Sequence, residues 1–280
     1  MDWLQNLVLM ALIRLLLALP YRWRVPFSGW VMARVIAPVA RYPARVRNNL
    51  ALIWPDLALD RVEQIVQAVC DNAGRTLAEL YSPREFKALV ADAQVIGTGL
   101  EPILQAQKQG RGVILISGHF GNHDIARAVL AARGMNVAAL YRPQSNRYFD
   151  KHFAATVRAI SEPLFARGRR GVAEMVMHLK QGGMVGMLID QAFLSGAPLQ
   201  FLGQRAMTSL SAAEMALKYN CLLVPVYGIR KADGLHFDLL VEAPLEHTNA
   251  AAMTQALNDS LAAQVREHPE QWFWIHRRWK

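Results

Sequence analysis

The chain has 280 residues, 53% of them hydrophobic and 19% charged, with a mean hydropathy of +0.12. That suffices for one large α/β domain or two small ones, is greasier than an ordinary soluble protein and is too charged for several membrane spans. The excess of 31 Lys+Arg over 22 Asp+Glu, a net charge of +9, favours anionic partners. Because the basic residues gather near Trp and Tyr at both ends, the expected partner is a membrane surface, and nucleic acid is not expected. The two cysteines, Cys70 and Cys221, lie in apolar surroundings without metal-ligand spacing and read as buried thiols in a reducing compartment.

Residues 3–19 form the most hydrophobic stretch, interrupted by Arg14. It is about the minimum length for a spanning helix and lacks the basic start and cleavage site of a secretory signal peptide. It can span once, lie in the membrane interface, or pack as a greasy helix of the domain. Pro20-Tyr21-Arg22-Trp23-Arg24 then pairs aromatic rings with positive charge, as at a headgroup boundary with the following chain on the cytoplasmic side. Residues 1–24 are therefore expected to anchor the protein to a membrane and 25–280 to form the globular domain.

A helix through Arg45–Leu50 is expected to stop at Pro55, and Asp60 to cap a helix over 61–80, where Arg75 and Glu79 fall one turn apart as an ion pair. Gly97-Thr98-Gly99 breaks the chain before a helix over 100–108. The apolar run Val113–Ile116 reads as a buried strand and ends in Ser117-Gly118-His119-Phe120-Gly121-Asn122-His123-Asp124 before a helix over 125–132. A strand over 137–140 ends in Tyr141-Arg142-Pro143, and a helix covers 147–160. The basic glycine loop 167–171 precedes a helix over 172–180. A strand over 184–189 ends in Asp190-Gln191, and residues 199–202 form a short extended piece. A helix over 211–219, a strand over 222–227, an alternating edge strand over 235–241 and a last helix over 250–267 follow. This alternation predicts an α/β fold with a mixed, largely parallel sheet flanked by helices, following a membrane-associated N-terminal helix.

The chemistry is expected at His119. On one helix, His119 and Asp124 would stand about 140° apart. With His119 in the loop and Asp124 in the first helical turn, the carboxylate can hold one ring nitrogen and leave the other as a general base. Asn122 or Asp124 can equally be a simple N-cap beside a loop histidine. His119 and His123 could begin a metal site, but no further ligand pair has the spacing, so no metal is expected. Nucleotide-binding loops and a serine nucleophile elbow are absent from the sequence.

These residues resemble the lipid A biosynthesis acyltransferases, the lauroyl and myristoyl transferases of the lysophospholipid acyltransferase superfamily. Their histidine–four residues–acid mark corresponds here to His119 and Asp124. The likeness continues at Asn48-Asn49-Leu50 to Pro55, Glu79, Tyr141-Arg142-Pro143, the loop 167–171, Asp190-Gln191, and Pro269-Glu270-Gln271-Trp272 through His276-Arg277-Arg278-Trp279. The chain departs from the pattern with Asp124 where glutamate is usual and His123 where an aromatic is usual.

The resemblance implies an enzyme without cofactor that takes a fatty acyl group from acyl carrier protein to a hydroxyl of a phosphorylated glycolipid, a lipid A precursor. It would act at the bacterial inner membrane, with its catalytic domain on the cytoplasmic side. His119, oriented by Asp124, would deprotonate the acceptor hydroxyl. Arg142, Arg167, Arg169 and Arg170 would meet phosphate, oxyanion or the acidic carrier, with Asp190 and Gln191 in support. The alternatives are another lipid acceptor, a lysophospholipid or an aminolipid, and a non-catalytic scaffold on anionic lipid. His123 and the His276-Arg277-Arg278 run read as surface or interface residues, and Trp272, Trp274 and Trp279 as core or interface anchors.

Overall fold

A computed structural model of the chain describes residues 2–279. Among the described residues nine strands form: β1 (Gln94–Ile96), β2 (Val113–Ser117), β3 (Val137–Tyr141), β4 (Leu164–Ala166), β5 (Met184–Leu188), β6 (Ala197–Phe201), β7 (Gln204–Thr208), β8 (Leu222–Arg230) and β9 (Phe237–Val241). Seven of them build one sheet in the order β1-β9-β8-β2-β5-β3-β4, and β6 and β7 pair separately as a hairpin. Every neighbour in the large sheet is parallel except β8 and β9. The α/β reading with a mixed, largely parallel sheet is thus found. The segment over 235–241 is not an edge strand, because the short β1, unrecognised in the sequence, pairs outside it.

The helices are α1 (Asp2–Leu17), α2 (Tyr21–Val31), α3 (Ala37–Val39), α4 (Tyr42–Ile53), α5 (Leu59–Leu80), α6 (Pro83–Val90), α7 (Leu100–Lys108), α8 (Ile125–Ala132), α9 (Arg147–Ile160), α10 (Arg169–Lys180), α11 (Ser211–Tyr219) and α12 (Ala250–Glu267). The central strand β2 has no polar residue before Ser117, as a strand buried on both faces requires. Val113 and Leu115 pack with α6, α7 and α8, while Ile114 and Ile116 pack with α10, α11 and α12. A third core, between α4, α5, the hairpin and the C-terminal segment, holds Leu50, Ile65, Phe120, Phe201, Trp272 and Trp274. Each such buried aliphatic or aromatic side chain contributes on the order of 1.5–3 kcal/mol.

Several local expectations need correction. Asp60 lies in the first turn of α5 behind Ala58 at the cap position, so its charge meets the helix dipole without a capping bond. Arg75 pairs with Asp71, not Glu79. Glu79 is fully buried and takes two bonds from Arg230 of β8, one of 2.9 Å. Helix α10 begins at Arg169, so Arg169 and Arg170 belong to its first turn and not to a loop.

At the N-terminus, no helix of the described residues is long and apolar enough to cross a membrane. Helix α1 packs on α9. The carbonyls of Leu17, its last residue, and Leu19, just beyond it, accept from the buried Arg24 guanidinium, which also donates to Ser82 Oγ at 2.6 Å. Those bonds satisfy orphan helix-end carbonyls and fasten α1 to α6. Trp3, Leu12, Leu15, Trp23, Phe27 and Trp30 stay exposed, among the exposed Arg14, Arg22 and Arg34.

Candidate active site

Strand β2 delivers its C-terminal end to the middle of the sheet edge, the place where parallel sheets expose their loops to ligand. Gly118 lets the chain pass Leu261 and Asp190, since a Cβ there would sit 2.7 Å from the Leu261 side chain. Gly121 has a φ of +52° and lies against β8, where a Cβ would fall 1.8 Å from the Gly228 carbonyl. Its own carbonyl accepts from Asn72 Nδ2 and Thr76 Oγ1 of α5. Between these two glycines His119 is aimed out of the core, partly exposed.

The C-terminal segment closes over this loop. Gly121 N–H donates to Gln271 O at 2.9 Å, and Phe273 N–H donates to His119 O at 2.8 Å. Asn49 Nδ2 fastens the segment from α4 by donating to the carbonyls of Trp274 and His276.

The carboxylate that holds His119 is Asp190, not Asp124. Asp190 Oδ1 lies 2.7 Å from His119 Nδ1, and its Oδ2 accepts the His119 backbone N–H at 2.7 Å and the Trp272 indole N–H at 2.9 Å. Burial opposes ionisation of Asp190, but the His119 ring, with smaller contributions from His276 and the His119 backbone N–H, outweighs it and holds its carboxyl well below the usual range. An ionised carboxylate only accepts, so Nδ1 carries the proton and Nε2 keeps its lone pair. Burial also opposes charge on His119, yet Asp190, with a smaller contribution from Asp124, leaves its pKa raised. The outcome is a strengthened base in a fixed tautomer, which suits it to accept a proton from a nucleophile.

Asp124 has another partner. It sits at the start of α8 and receives Arg127 Nη1 at 2.7 Å, with the Arg127 guanidinium also donating to Ser161 O at 2.6 Å. Burial would raise the Asp124 pKa, but Arg127 lowers it below its ordinary value. Asn122, next in the loop, donates to Glu79 at 2.7 Å and accepts the Asp124 N–H, tying the Glu79–Arg230 pair to the loop. His123 is partly buried, its ring centroid 5.3 Å from that of His119, and burial keeps it neutral by lowering its pKa.

Of the other expected site residues, Gln191 is exposed and only its carbonyl is used, by Arg278. Arg142 and Arg167 leave the ends of adjacent strands, with Arg167 N–H donating to Tyr141 O at 2.8 Å. Both side chains are exposed, as are Arg169 and Arg170, and Arg170 pairs with Glu174. None of the four side chains contacts the His119–Asp190 pair; they form a separate basic edge.

Of the run His276-Arg277-Arg278, Arg277 is exposed, His276 is partly buried and Arg278 lies in the interior. Arg278 is buried, donating to Met207 O and Thr208 Oγ1. The His276 ring stands edge-on to His119 at 4.4 Å, and its Nε2 is buried without a hydrogen bond. Burial and the neighbouring His119 push the His276 pKa down to about 4. His119, Asp190 and His276 each offer a ligand atom within 4.8 Å of the others. With three N–H groups on Asp190, its oxygens serve the imidazole before they could serve an ion.

Two cavities lie beside the loop, and the second of them reaches His119. One, of about 170 Å³, runs beneath α8 and α9 and is lined by Ser117, His123, Asp124, Leu140, Val157 and Gly186 among others. The other, of about 220 Å³, follows α5 past Val69, Ala73 and Leu77 to His119 and Phe273. Leu80 and His123 line both. A partly exposed base in one apolar cavity, with a second cavity on the other side of His123 and Leu80, can act where two hydrocarbon-bearing substrates exchange a group.

Sequence comparison places the chain among acyltransferases. The chain is 24% identical over 269 residues to a lipid A biosynthesis acyltransferase of Haemophilus influenzae, covering 93% of this chain and 83% of that one. It is 25% identical over 268 residues to the lipid A biosynthesis palmitoleoyltransferase of Escherichia coli, covering 91% and 84%. It is also 24% identical over 278 residues to a phosphatidylinositol mannoside acyltransferase of Mycobacterium tuberculosis, covering 90% and 86%. The sequence model of bacterial lipid A biosynthesis acyltransferases matches residues 1–280, and the chain belongs to that family of acyltransferases.

Proposed function

We propose that this acyltransferase moves a fatty acyl chain from the thioester of acyl carrier protein to a hydroxyl of a lipid A precursor. The observation that carries the reading is His119, its Nδ1 proton held by Asp190 and its ring in the apolar groove along α5, with the second cavity beyond His123 and Leu80. His119 Nε2 takes the proton of the acceptor hydroxyl. The oxygen attacks the thioester carbonyl, a C–O bond replaces the C–S bond, and the proton passes to the departing thiolate. Asp190 stabilises the imidazolium in between. Asp124 acts at a distance, through its charge and by bracing the loop with Arg127. Catalysis therefore assigns orientation of the base to Asp190 and support of the loop to Asp124.

The basic edge of Arg142, Arg167 and Arg169 supports docking of an acidic carrier, because it lies where Leu140 and Tyr141 open the first cavity. The exposed Trp and Leu residues of α1 and α2, interleaved with arginines, support a helix layer lying in the interface of an anionic membrane, at about 1 kcal/mol per basic residue near the surface. This face continues to Trp30 and beyond the expected anchor of residues 1–24. The location that follows is the cytoplasmic face of a bacterial inner membrane.

A second acceptor class, a mannosylated phospholipid, is favoured by the similarity to the mycobacterial phosphatidylinositol mannoside acyltransferase. The test offers labelled acyl carrier thioester and, separately, the lipid A precursor and the mannolipid. Transfer to the former, abolished by His119→Ala, is expected. Transfer to the mannolipid alone moves the acceptor, and full activity of His119→Ala overturns the mechanism.

A further inference from the structure

The groove along α5 has no function in the reaction as described so far, and its chemistry narrows what can lie in it. Val69, Ala73, Leu77 and Phe273 supply hydrocarbon walls. The polar side chains beside them are already committed. Asn72 donates to Gly121 O and accepts from Arg230, and Thr76 donates to Gly121 O. A ligand with amides in this groove, such as the pantetheine arm of a carrier, would lose its hydrogen bonds to water without replacement. A hydrocarbon chain has no such cost.

The groove also contains His119, whereas the cavity beneath α8 and α9 does not. A general base must lie within hydrogen-bond reach of the proton it takes, so the nucleophile enters with the His119 groove. The electrophile belongs on the other side of His123, in the cavity whose mouth adjoins the basic edge.

We propose that the α5 groove binds a hydrocarbon chain of the acceptor, while the cavity beneath α8 and α9 binds the chain being transferred, with His123 and Leu80 as the wall between them. This assignment rests on the acyl-transfer reading of His119. It makes the acceptor a lipid whose reacting group lies close to one of its own chains, and it gives each substrate a chain site of its own.

Two substitutions separate the sites. Ala73→Leu fills the groove without changing helix propensity appreciably. Gly186→Ala narrows the cavity, and the added Cβ meets only ordinary contacts, the nearest 3.6 Å away. Initial rates are measured with acyl carrier thioesters from octanoyl to hexadecanoyl, with the lipid A precursor as acceptor. Ala73→Leu is expected to raise the acceptor KM about tenfold and leave the preferred donor length in place. Gly186→Ala is expected to move that preference to a shorter chain and leave the acceptor KM within about twofold. Should Ala73→Leu perturb folding, Leu77→Asp, at an exposed helix position, is expected to raise the same KM.

An unchanged acceptor KM in both groove variants, or a donor-length shift from Ala73→Leu, overturns the assignment. Absence of transfer by the wild-type protein would instead defeat the acyl-transfer reading. Photolabelling decides the groove independently of turnover. The lipid A precursor with a diazirine in one chain is expected to label residues 69–80, and labelling confined to the α9 side overturns the proposal.

Discussion

Asp190→Asn tests the site with almost no change of shape. Two of the three donors on Asp190, the His119 backbone N–H and the Trp272 indole N–H, converge on Oδ2. In the variant the amide oxygen must take that place, since an NH₂ group cannot accept. The NH₂ then faces His119 Nδ1, which has to become the acceptor and move its proton to Nε2. The nitrogen that should receive the acceptor's proton is then blocked. Forcing the wrong tautomer in this way costs about 10⁴-fold in kcat in the serine-protease triad, or about 5 kcal/mol. A fall of about 10³- to 10⁴-fold is expected here, measured as single-turnover transfer from acyl carrier thioester with the melting profile as a folding control. The residual activity should carry its acidic limb to lower pH, because the charge that raises the His119 pKa is gone. Asp124→Asn should differ in kind. It strands the buried Arg127 and costs about 3–5 kcal/mol of stability, with a smaller effect on kcat in the molecules that fold. If Asp190→Asn retains activity within threefold of wild type while a folded Asp124→Asn loses it, the orienting carboxylate has been misassigned.

Three further outcomes are expected. Glu79→Gln removes the charge that compensates the buried Arg230 and should lower stability by about 3–5 kcal/mol, read as a drop in the urea midpoint; an unchanged midpoint would mean that Arg230 is rehydrated. His276, with its pKa pushed down to about 4, stays neutral in the folded protein while the unfolded chain takes up a proton below about pH 6.5. Acidification from pH 6.5 to 4 therefore costs about 3 kcal/mol at this residue, opposed in sign by His119, whose raised pKa favours the folded state as pH falls. His276→Gln should accordingly lose less stability than wild type across that window in pH-dependent melting, and an equal loss counts against the burial argument. Arg142→Glu combined with Arg167→Glu should raise the donor KM at least tenfold at low salt, and the gap should shrink as ionic strength rises; a salt-independent effect would point to a direct contact with substrate.

What could be read from the sequence was decided by range. The apolar run Val113–Ile116 and the glycines after it placed β2 and the His119 loop, because strand burial and turn chemistry are local. The partner of His119 is set by strand order. β5 lies beside β2, so a carboxylate just past its end arrives at the end of β2. Nothing near His119 in sequence announces that, whereas Asp124 is close in the chain and is captured by Arg127 only once α8 forms. The same applies to Glu79, whose partner Arg230 is 151 residues away, and to His276, whose burial depends on the C-terminal segment crossing the sheet edge. The edge strands β1 and β4 escaped notice because three residues carry too little periodicity to register.

That crossing has a bearing on biosynthesis. Trp272 donates to Asp190, Gln271 and Phe273 bond the loop on either side of Phe120, and Arg278 is locked beneath the hairpin. Domains generally begin to fold from their N-terminal side while still on the ribosome. The sheet can therefore pair and the exposed apolar helices can reach a bilayer while residues 270–278 are still inside the exit tunnel. Until those residues emerge, Asp190 lacks its indole donor and the base its lid. A nascent chain in which they are still shielded is thus expected to be inert, and competence to arrive in one step when they pack on the loop.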